Sequence, residues 1–264
     1  MLAINVYNSV VVKRPGKTCT SCQAVIFDLD GTKPDVGFPD TSLAESDPNG
    51  LLAIGGDLSE TRLLEAYRRG IFPWYSAGQP ILWWTPAPRM VLYPQELHVS
   101  RSLRKAMRHR GYEVSVDMAF DAVIRACAAP RGDAEGTWLQ PEMIASYTGL
   151  HRAGHAHSIE TWKNGELIGG LYGVKLGQVF FGESMFSRSS DASKIAFTLL
   201  AEMGKKLPLA FIDCQIYTDH LASLGARPIT RDDFQRELKI ALNRPASPLR
   251  RCLPYPAATL RSAQ

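Results

Sequence analysis

An α+β fold is what the pattern of residues in this chain implies, and three features carry the expectation. Residues 158–186, SIETWKNGELIGGLYGVKLGQVFFGESMF, alternate with period 2 and are broken by Asn164-Gly165 and by Lys175-Leu176-Gly177-Gln178, the pattern of three antiparallel strands in a meander. ASKIAFTLLAEMGKKL, residues 192–207, follows with Ile195, Leu199 and Met203 on one helical face. LAFIDCQIY, residues 209–217, is then a further strand buried on at least one side. Strands, a helix and another strand describe a sheet with a helix packed on it.

Ahead of that segment, residues 1–37 read as a short strand, a Pro/Gly/Lys turn, a second strand and a loop. The second strand ends in AVIFDLDGT, residues 24–32, which resembles the opening of haloacid-dehalogenase-like phosphatases, where the first Asp attacks phosphorus. That chemistry also needs a Ser or Thr at a strand end, a Lys and an acidic pair holding Mg²⁺. The best acidic pair here, Asp232-Asp233, opens what reads as a helix, DDFQRELKIAL, instead of ending an apolar strand. Asp28 is thus without a catalytic team, and the motif reads as incidental.

From Phe38 the character changes. Ser59 is placed to cap a helix with Glu60 in its first turn, Leu63, Leu64 and Tyr67 on one face, and Gly70 at its end. An aromatic and proline cluster, GIFPWYSAGQPILWWTPAPR, follows and holds three of the five tryptophans, Trp74, Trp83 and Trp84. Such a cluster either builds a rigid loop core or offers rings for ligand stacking. Ser100 can cap the next helix, whose Arg101, Arg104, Lys105 and Arg108 stand at i, i+3, i+4 and i+7 and so share one stripe. Four like charges in a row repel one another, so the stripe is either a solvated face or a grip on phosphates. A net charge of +4 permits an anionic partner without demanding one.

Asp213 and Gln215 lie two apart on the last strand, which sends both side chains to one face and Cys214 to the other. An acid and an amide on an apolar strand need partners. Either they form a satisfied pair bracing a loop, or Asp213 accepts from the Gln215 amide and turns its carbonyl oxygen outward as an acceptor. Glu183, between Gly182 and Ser184 at the end of the meander, is a second acid of the same kind.

Other chemistry finds little support. The five cysteines form no framework, and Cys19-x-x-Cys22 has no second pair to complete a four-ligand zinc site, so a structural zinc is not expected. The absent disulfide pattern fits a reducing compartment. No stretch approaches the roughly 18 apolar residues of a membrane span, and the expected location is the cytoplasm.

Taken together, DPNGLLAIGGDLS, AYRRGIFPWYS, PILWWTPAPR, EGTW, GHAHSIE, GGLYGV, FFGESMFSR, ASK, DCQ and HLASLGA resemble the leucyl/phenylalanyl-tRNA–protein transferase family. The resemblance runs in order from about Phe38 to Pro254. It implies transfer of leucine or phenylalanine, less readily methionine, from aminoacyl-tRNA to the α-amine of proteins that begin with Arg or Lys, creating an N-degron for protein degradation. It also implies a small N-terminal α/β domain, residues 38–92, and a larger acetyltransferase-like (GNAT-like) catalytic domain, residues 93–254; because an aminoacyl ester is already activated, neither metal nor cofactor is expected. Residues 1–37 are then an N-terminal extension and 255–264 a tail, and a monomer without a membrane partner is expected.

Carried over by residue, Asp213 and Gln215 match the pair that orients and polarises the attacking amine. Trp74 and Trp138 match tryptophans that hold the 3′-terminal adenosine or neighbouring substrate. Glu183 and Met185 match positions at the aminoacyl pocket, with Leu171 and Leu200 as its apolar walls, and Arg101, Arg104, Lys105 and Arg108 match the cluster that grips tRNA. An acyl-CoA-dependent N-acetyltransferase is disfavoured, because no Arg/Gln-x-x-Gly-x-Gly/Ala turn precedes ASKIAFTLL. A non-catalytic tRNA-binding module is the other alternative, since the basic stripe alone would support it.

Overall fold

The computed structural model describes residues 11–13, 25–30, 33, 37–129 and 139–260. The chain divides into two units, Met1–Ala87 and Pro88–Gln264. The larger unit carries the α+β arrangement of meander, helix and further strand, and the fold as a whole is α+β.

In the smaller unit, β1 (Val11–Lys13), β2 (Val25–Asp28) and β3 (Leu51–Ile54) run parallel, and β4 (Phe72–Pro73) and β5 (Leu82–Trp84) complete a sheet in the order β1-β2-β3-β5-β4. Helix α1 (Glu60–Arg68) starts where the sequence places it, with the Ser59 hydroxyl accepting from the Arg62 amide at 3.3 Å. Leu63, Leu64 and Tyr67 are buried, and Gly70 follows the helix at φ +72°, a conformation that glycine adopts without a Cβ clash. Asp28 accepts from the Asp30 amide at 2.8 Å, and Asp30 accepts from the Gly56 amide at 2.8 Å. Both carboxylates thus accept from backbone amides, Asp28 within its own turn and Asp30 from the segment that follows β3.

In the larger unit, eight strands stand in the order β12-β6-β11-β10-β9-β8-β7-β13. In chain order they are β6 (Arg89–Leu92), β7 (Glu113–Val116), β8 (Ala156–Lys163), β9 (Glu166–Leu176), β10 (Val179–Ser187), β11 (Phe211–Gln215), β12 (Arg227–Ile229) and β13 (Cys252–Pro256). Strands β8, β9 and β10 form the expected antiparallel meander, and β11 lies parallel to β10. A parallel neighbour needs a crossover, supplied here by helix α5 (Ala192–Lys206).

Helices α2 (Arg101–His109) and α5 share one core with one sheet face, through Leu103, Met107, Ile195, Leu199, Ile159, Leu171, Phe180 and Ile212. The other face meets α3 (Phe120–Ala128), α4 (Pro141–Arg152) and α7 (Arg231–Leu242), where Phe120 and Tyr147 contact the Tyr172 ring and Phe234 contacts Phe211. A short helix, α6 (Asp219–Ala222), links β11 to β12. With both faces covered, the central strands are apolar almost throughout, so a polar group there stands out.

One expected boundary changes. Arg89–Leu92 falls with the larger unit, because β6 is hydrogen-bonded between β11 and β12. At the opposite edge of the sheet Cys252–Pro256 pairs with β7, and proline is tolerated there since one side needs no N–H donors. Asp191 precedes α5 at φ +68° and makes no side-chain cap, and the Ser187 hydroxyl accepts from the Ser193 amide of the first turn at 3.3 Å.

Candidate active site

The strongest polar feature of the larger sheet is a buried ion pair. Arg89, on β6, sends Nε to Asp213 Oδ1 at 2.8 Å and Nη2 to Oδ2 at 2.7 Å, a two-pronged contact between groups that are 1% and 0% exposed. The planar guanidinium matches a carboxylate in this way and lies over the Phe234 ring at 4.7 Å. Asp213 Oδ1 also accepts from the Gln215 backbone amide at 2.9 Å.

Simple strand alternation fails between these two residues. Asp213 pairs with Val91 and Gln215 with Met90, so two steps along β11 answer one along β6 and Cys214 is the extra residue of a bulge. Gln215 sits at φ +62°, in the left-handed region that non-glycine residues rarely enter. The expected bond from the Gln215 amide to Asp213 is therefore corrected: the carboxylate is occupied by Arg89 and by backbone. The Gln215 side chain instead donates from Nε2 to Glu183 Oε1 at 2.9 Å. Cys214 lies on the opposite side, in the α5 core, and burial pushes its thiol well above the usual range.

Glu183 is itself the extra residue of a second bulge, since Gly182 pairs with Gly173 and Ser184 with Tyr172. Its Oε2 accepts from the Tyr147 hydroxyl at 2.9 Å. Pairing between β10 and β11 ends at Phe181 and Asp213, although β10 continues to Ser187. The two strands part there, and the half-buried Glu183 and Gln215 face each other at the parting, each turned out of its strand by a bulge. A carboxylate only accepts, so the amide is oriented with NH2 toward Glu183 and carbonyl oxygen away from it.

The apolar candidates sit beside this point. Met185 and Leu171 are cross-strand partners on β10 and β9, and Met185 packs against the core that holds Leu171 and Leu200. Leu171 is 3% exposed and Leu200 0%, so they can back a pocket and do not themselves form its surface. Arg101, Arg104, Lys105 and Arg108 are all exposed on α2, opposite its buried Leu103, Ala106 and Met107, as the spacing implies. Trp138 lies outside the described residues. Trp74 belongs to the smaller unit, half-exposed, with its ring 5.8 Å from that of Trp84, whose indole donates to the Trp74 carbonyl at 2.6 Å. Trp83 is fully buried and donates to Gly55, so this tryptophan is part of a core.

Sequence reasoning missed Arg89 and Tyr147. Arg89 carries a signal in retrospect: it is the one cation in RMVL, a strand otherwise apolar. Tyr147 lies among the residues of an ordinary helix and shows none. Among the described residues no group of three or more His, Cys, Asp or Glu side chains is placed to hold a metal ion, and no helix is long and apolar enough to cross a membrane.

Two acids and an amide joined on parting strands can position two reactants for group transfer. The comparisons make the class specific. A family model described as leucyl/phenylalanyl-tRNA protein transferase matches residues 91–239, and the model of that family's N-terminal domain matches residues 56–87. The chain is 58% identical over 212 residues to the leucyl/phenylalanyl-tRNA–protein transferase of Chromobacterium violaceum, covering 80% of this chain and 91% of that one. It is 60% identical over 206 residues to the enzyme of the same name from Nitrosospira multiformis, covering 78% and 89%, and 55% identical over 215 residues to that of Azotobacter vinelandii, covering 81% and 95%. The protein is an aminoacyltransferase. It belongs to the leucyl/phenylalanyl-tRNA–protein transferase family.

Proposed function

We propose that this enzyme transfers leucine or phenylalanine, and less readily methionine, from aminoacyl-tRNA to the α-amine of proteins that begin with Arg or Lys, marking them for degradation in the cytoplasm. The observation that carries the reading is the bonded set of Asp213, Gln215 and Glu183 where β10 and β11 part. An aminoacyl ester is already activated, so the remaining barrier is to bring a neutral amine to its carbonyl and manage the proton. A peptide α-amine has a pKa of about 8, so a useful fraction is neutral at pH 7.

Gln215 is too weak a base to take the proton outright. With its NH2 committed to Glu183, its carbonyl oxygen accepts the amine N–H and favours the positive charge that develops as nitrogen attacks. Holding amine and ester together can contribute at most roughly 7–11 kcal/mol. The Glu183 carboxylate adds a negative charge beside the amine, which suits an acceptor whose first side chain is a cation. Asp213, neutralised by Arg89, acts on Gln215 through the backbone and adds little net field.

Met185, backed by Leu171 and Leu200, is the apolar side of the aminoacyl pocket, in a larger unit that we read as acetyltransferase-like, and its packing against the core that holds both leucines supports that placement. One methylene in such a pocket is worth only about 1–3 kcal/mol, so leakage to methionine is expected. The exposed stripe on α2 grips tRNA phosphates, while Trp74 and Trp138 hold the terminal adenosine or its neighbour, and the enzyme works as a monomer without metal or cofactor. The test is transfer of labelled leucine from charged tRNA to a protein beginning with Arg, beside a matched protein beginning with Ala. Label in the first alone supports the reading, and equal label in both, or none, overturns it.

A further inference from the structure

The geometry points to Arg89 as a positioning residue for the transfer reaction, acting through Asp213 on the backbone of Gln215; the inference rests on the reading of Gln215 given above. Asp213 Oδ1 is the shared atom. It receives Arg89 Nε at 2.8 Å and the Gln215 backbone N–H at 2.9 Å, while Oδ2 receives Arg89 Nη2 at 2.7 Å. The two-pronged contact fixes both carboxylate oxygens, and the plane of the carboxylate fixes where the Gln215 amide hydrogen must lie.

That hydrogen matters because Gln215 is held at φ +62°, off the path an unbulged strand would take. The side chain reaches Glu183 from this backbone conformation. Relaxation of Gln215 to an extended conformation would swing its amide away from the place where β10 and β11 part. Residues in such sparsely populated conformations persist only when their surroundings over-determine them. Arg89 and Asp213, both buried, are the surroundings on the β6 side.

A guanidinium is needed for this, and a positive charge alone does not suffice. Lysine would supply a point charge to one oxygen and leave the carboxylate free to rotate. Phe234 beneath the guanidinium, at 4.7 Å, keeps the fork in the plane of Asp213.

The test is a double-mutant cycle in the full-length enzyme, with steady-state transfer measured across a range of charged-tRNA and acceptor concentrations. Arg89→Lys is expected to lower kcat tenfold or more, with KM for charged tRNA and for acceptor within twofold of the parent and a cooperative thermal melt retained. In a Gln215→Ala background the same substitution is expected to cause no further loss. Phe234→Leu, a milder change, is expected to lower kcat about threefold and likewise to add nothing to Gln215→Ala, and it decides the matter if Arg89→Lys does not fold. Parent-level kcat in Arg89→Lys, or in Phe234→Leu where the lysine variant is unfolded, overturns the inference, as does an equal fold-loss in both backgrounds. Unchanged transfer by Gln215→Ala alone would instead remove Gln215 from the reaction and the inference with it.

Discussion

Gln215 and Glu183 are joined at 2.9 Å, amide Nε2 to carboxylate Oε1, across the point where two neighbouring strands cease to pair. Each residue is displaced by its own bulge, so the bond depends on two irregularities meeting. Glu183→Gln keeps the shape and removes the charge. A hydrogen bond to a charged group contributes about 1.5–3 kcal/mol, and about 1.4 kcal/mol is a factor of ten. The expected outcome is a fall of roughly tenfold to a hundredfold in kcat/KM for an acceptor that begins with Arg, measured with labelled leucine. Parent-level activity would show that the carboxylate charge plays no part.

The stripe on α2 makes a prediction of a different kind. Arg101, Arg104, Lys105 and Arg108 are exposed, and a phosphate grip depends on charge and on salt. Replacing Arg104 and Arg108 with Gln should raise KM for charged tRNA and leave kcat at saturating tRNA unchanged. The slope of log affinity against log salt should shrink by about 0.7–0.9 for each phosphate that is no longer neutralised. A fluorescence titration at several salt concentrations checks it, and an unaltered slope would return the stripe to a solvated face.

These two sites differ in how far the sequence disclosed them. The α2 stripe was fully legible, because helical spacing alone decides which residues share a face, and Leu103, Ala106 and Met107 mark the opposite one. The meander was legible for the same reason at period 2. The bulges were not. A bulge is a mismatch between two strands, and nothing in FIDCQ alone says that Met90 and Val91 will take up three residues of it. Arg89 was hidden by distance, since its partner lies 124 positions further on and only the folded sheet brings the two together. The edge strand Cys252–Pro256 was masked by its prolines, whose meaning depends on which side of the strand is open.

Glu160 links the GHAHSIE segment to pH. It is fully buried on β8 and accepts from the Ser115 hydroxyl, from Ser158 Oγ at 2.5 Å, and from the Met118 and Ala119 amides at 3.2 and 3.3 Å. Burial outweighs these donors and raises its carboxyl above the usual value of 4.5. The folded state therefore holds this proton more tightly than the unfolded chain does, so stability is lost as pH rises from about that value through the raised one. In Glu160→Gln this loss disappears. Melting temperatures from pH 4.5 upward should show the parent falling relative to the variant, and parallel curves would contradict the assignment.

Gly173 offers a test of the parting strands from behind. It pairs with Gly182 across β9 and β10, and a Cβ placed on it would lie 2.1 Å from the Phe181 carbonyl oxygen and 2.5 Å from the Phe180 ring. The carbonyl is backbone, so relief requires β10 itself to move, at Phe181, where its pairing with β11 ends. Overpacking of this kind costs about 1–3 kcal/mol, and a unit of this size melts roughly 2–4 °C lower for each kcal/mol. Gly173→Ala should therefore lower the melting temperature by about 2–12 °C and reduce kcat as well, because Glu183 lies two residues beyond the displaced carbonyl. Gly182→Ala is the control: its nearest contact would be the Asp213 carbonyl oxygen at 3.4 Å, an ordinary van der Waals distance, so its melting temperature should stay within about 2 °C of the parent. If Gly173→Ala loses stability but keeps full kcat, the position of β10 at the parting does not govern Glu183. If both variants behave alike, the close approach at Gly173 does not set the position of β10.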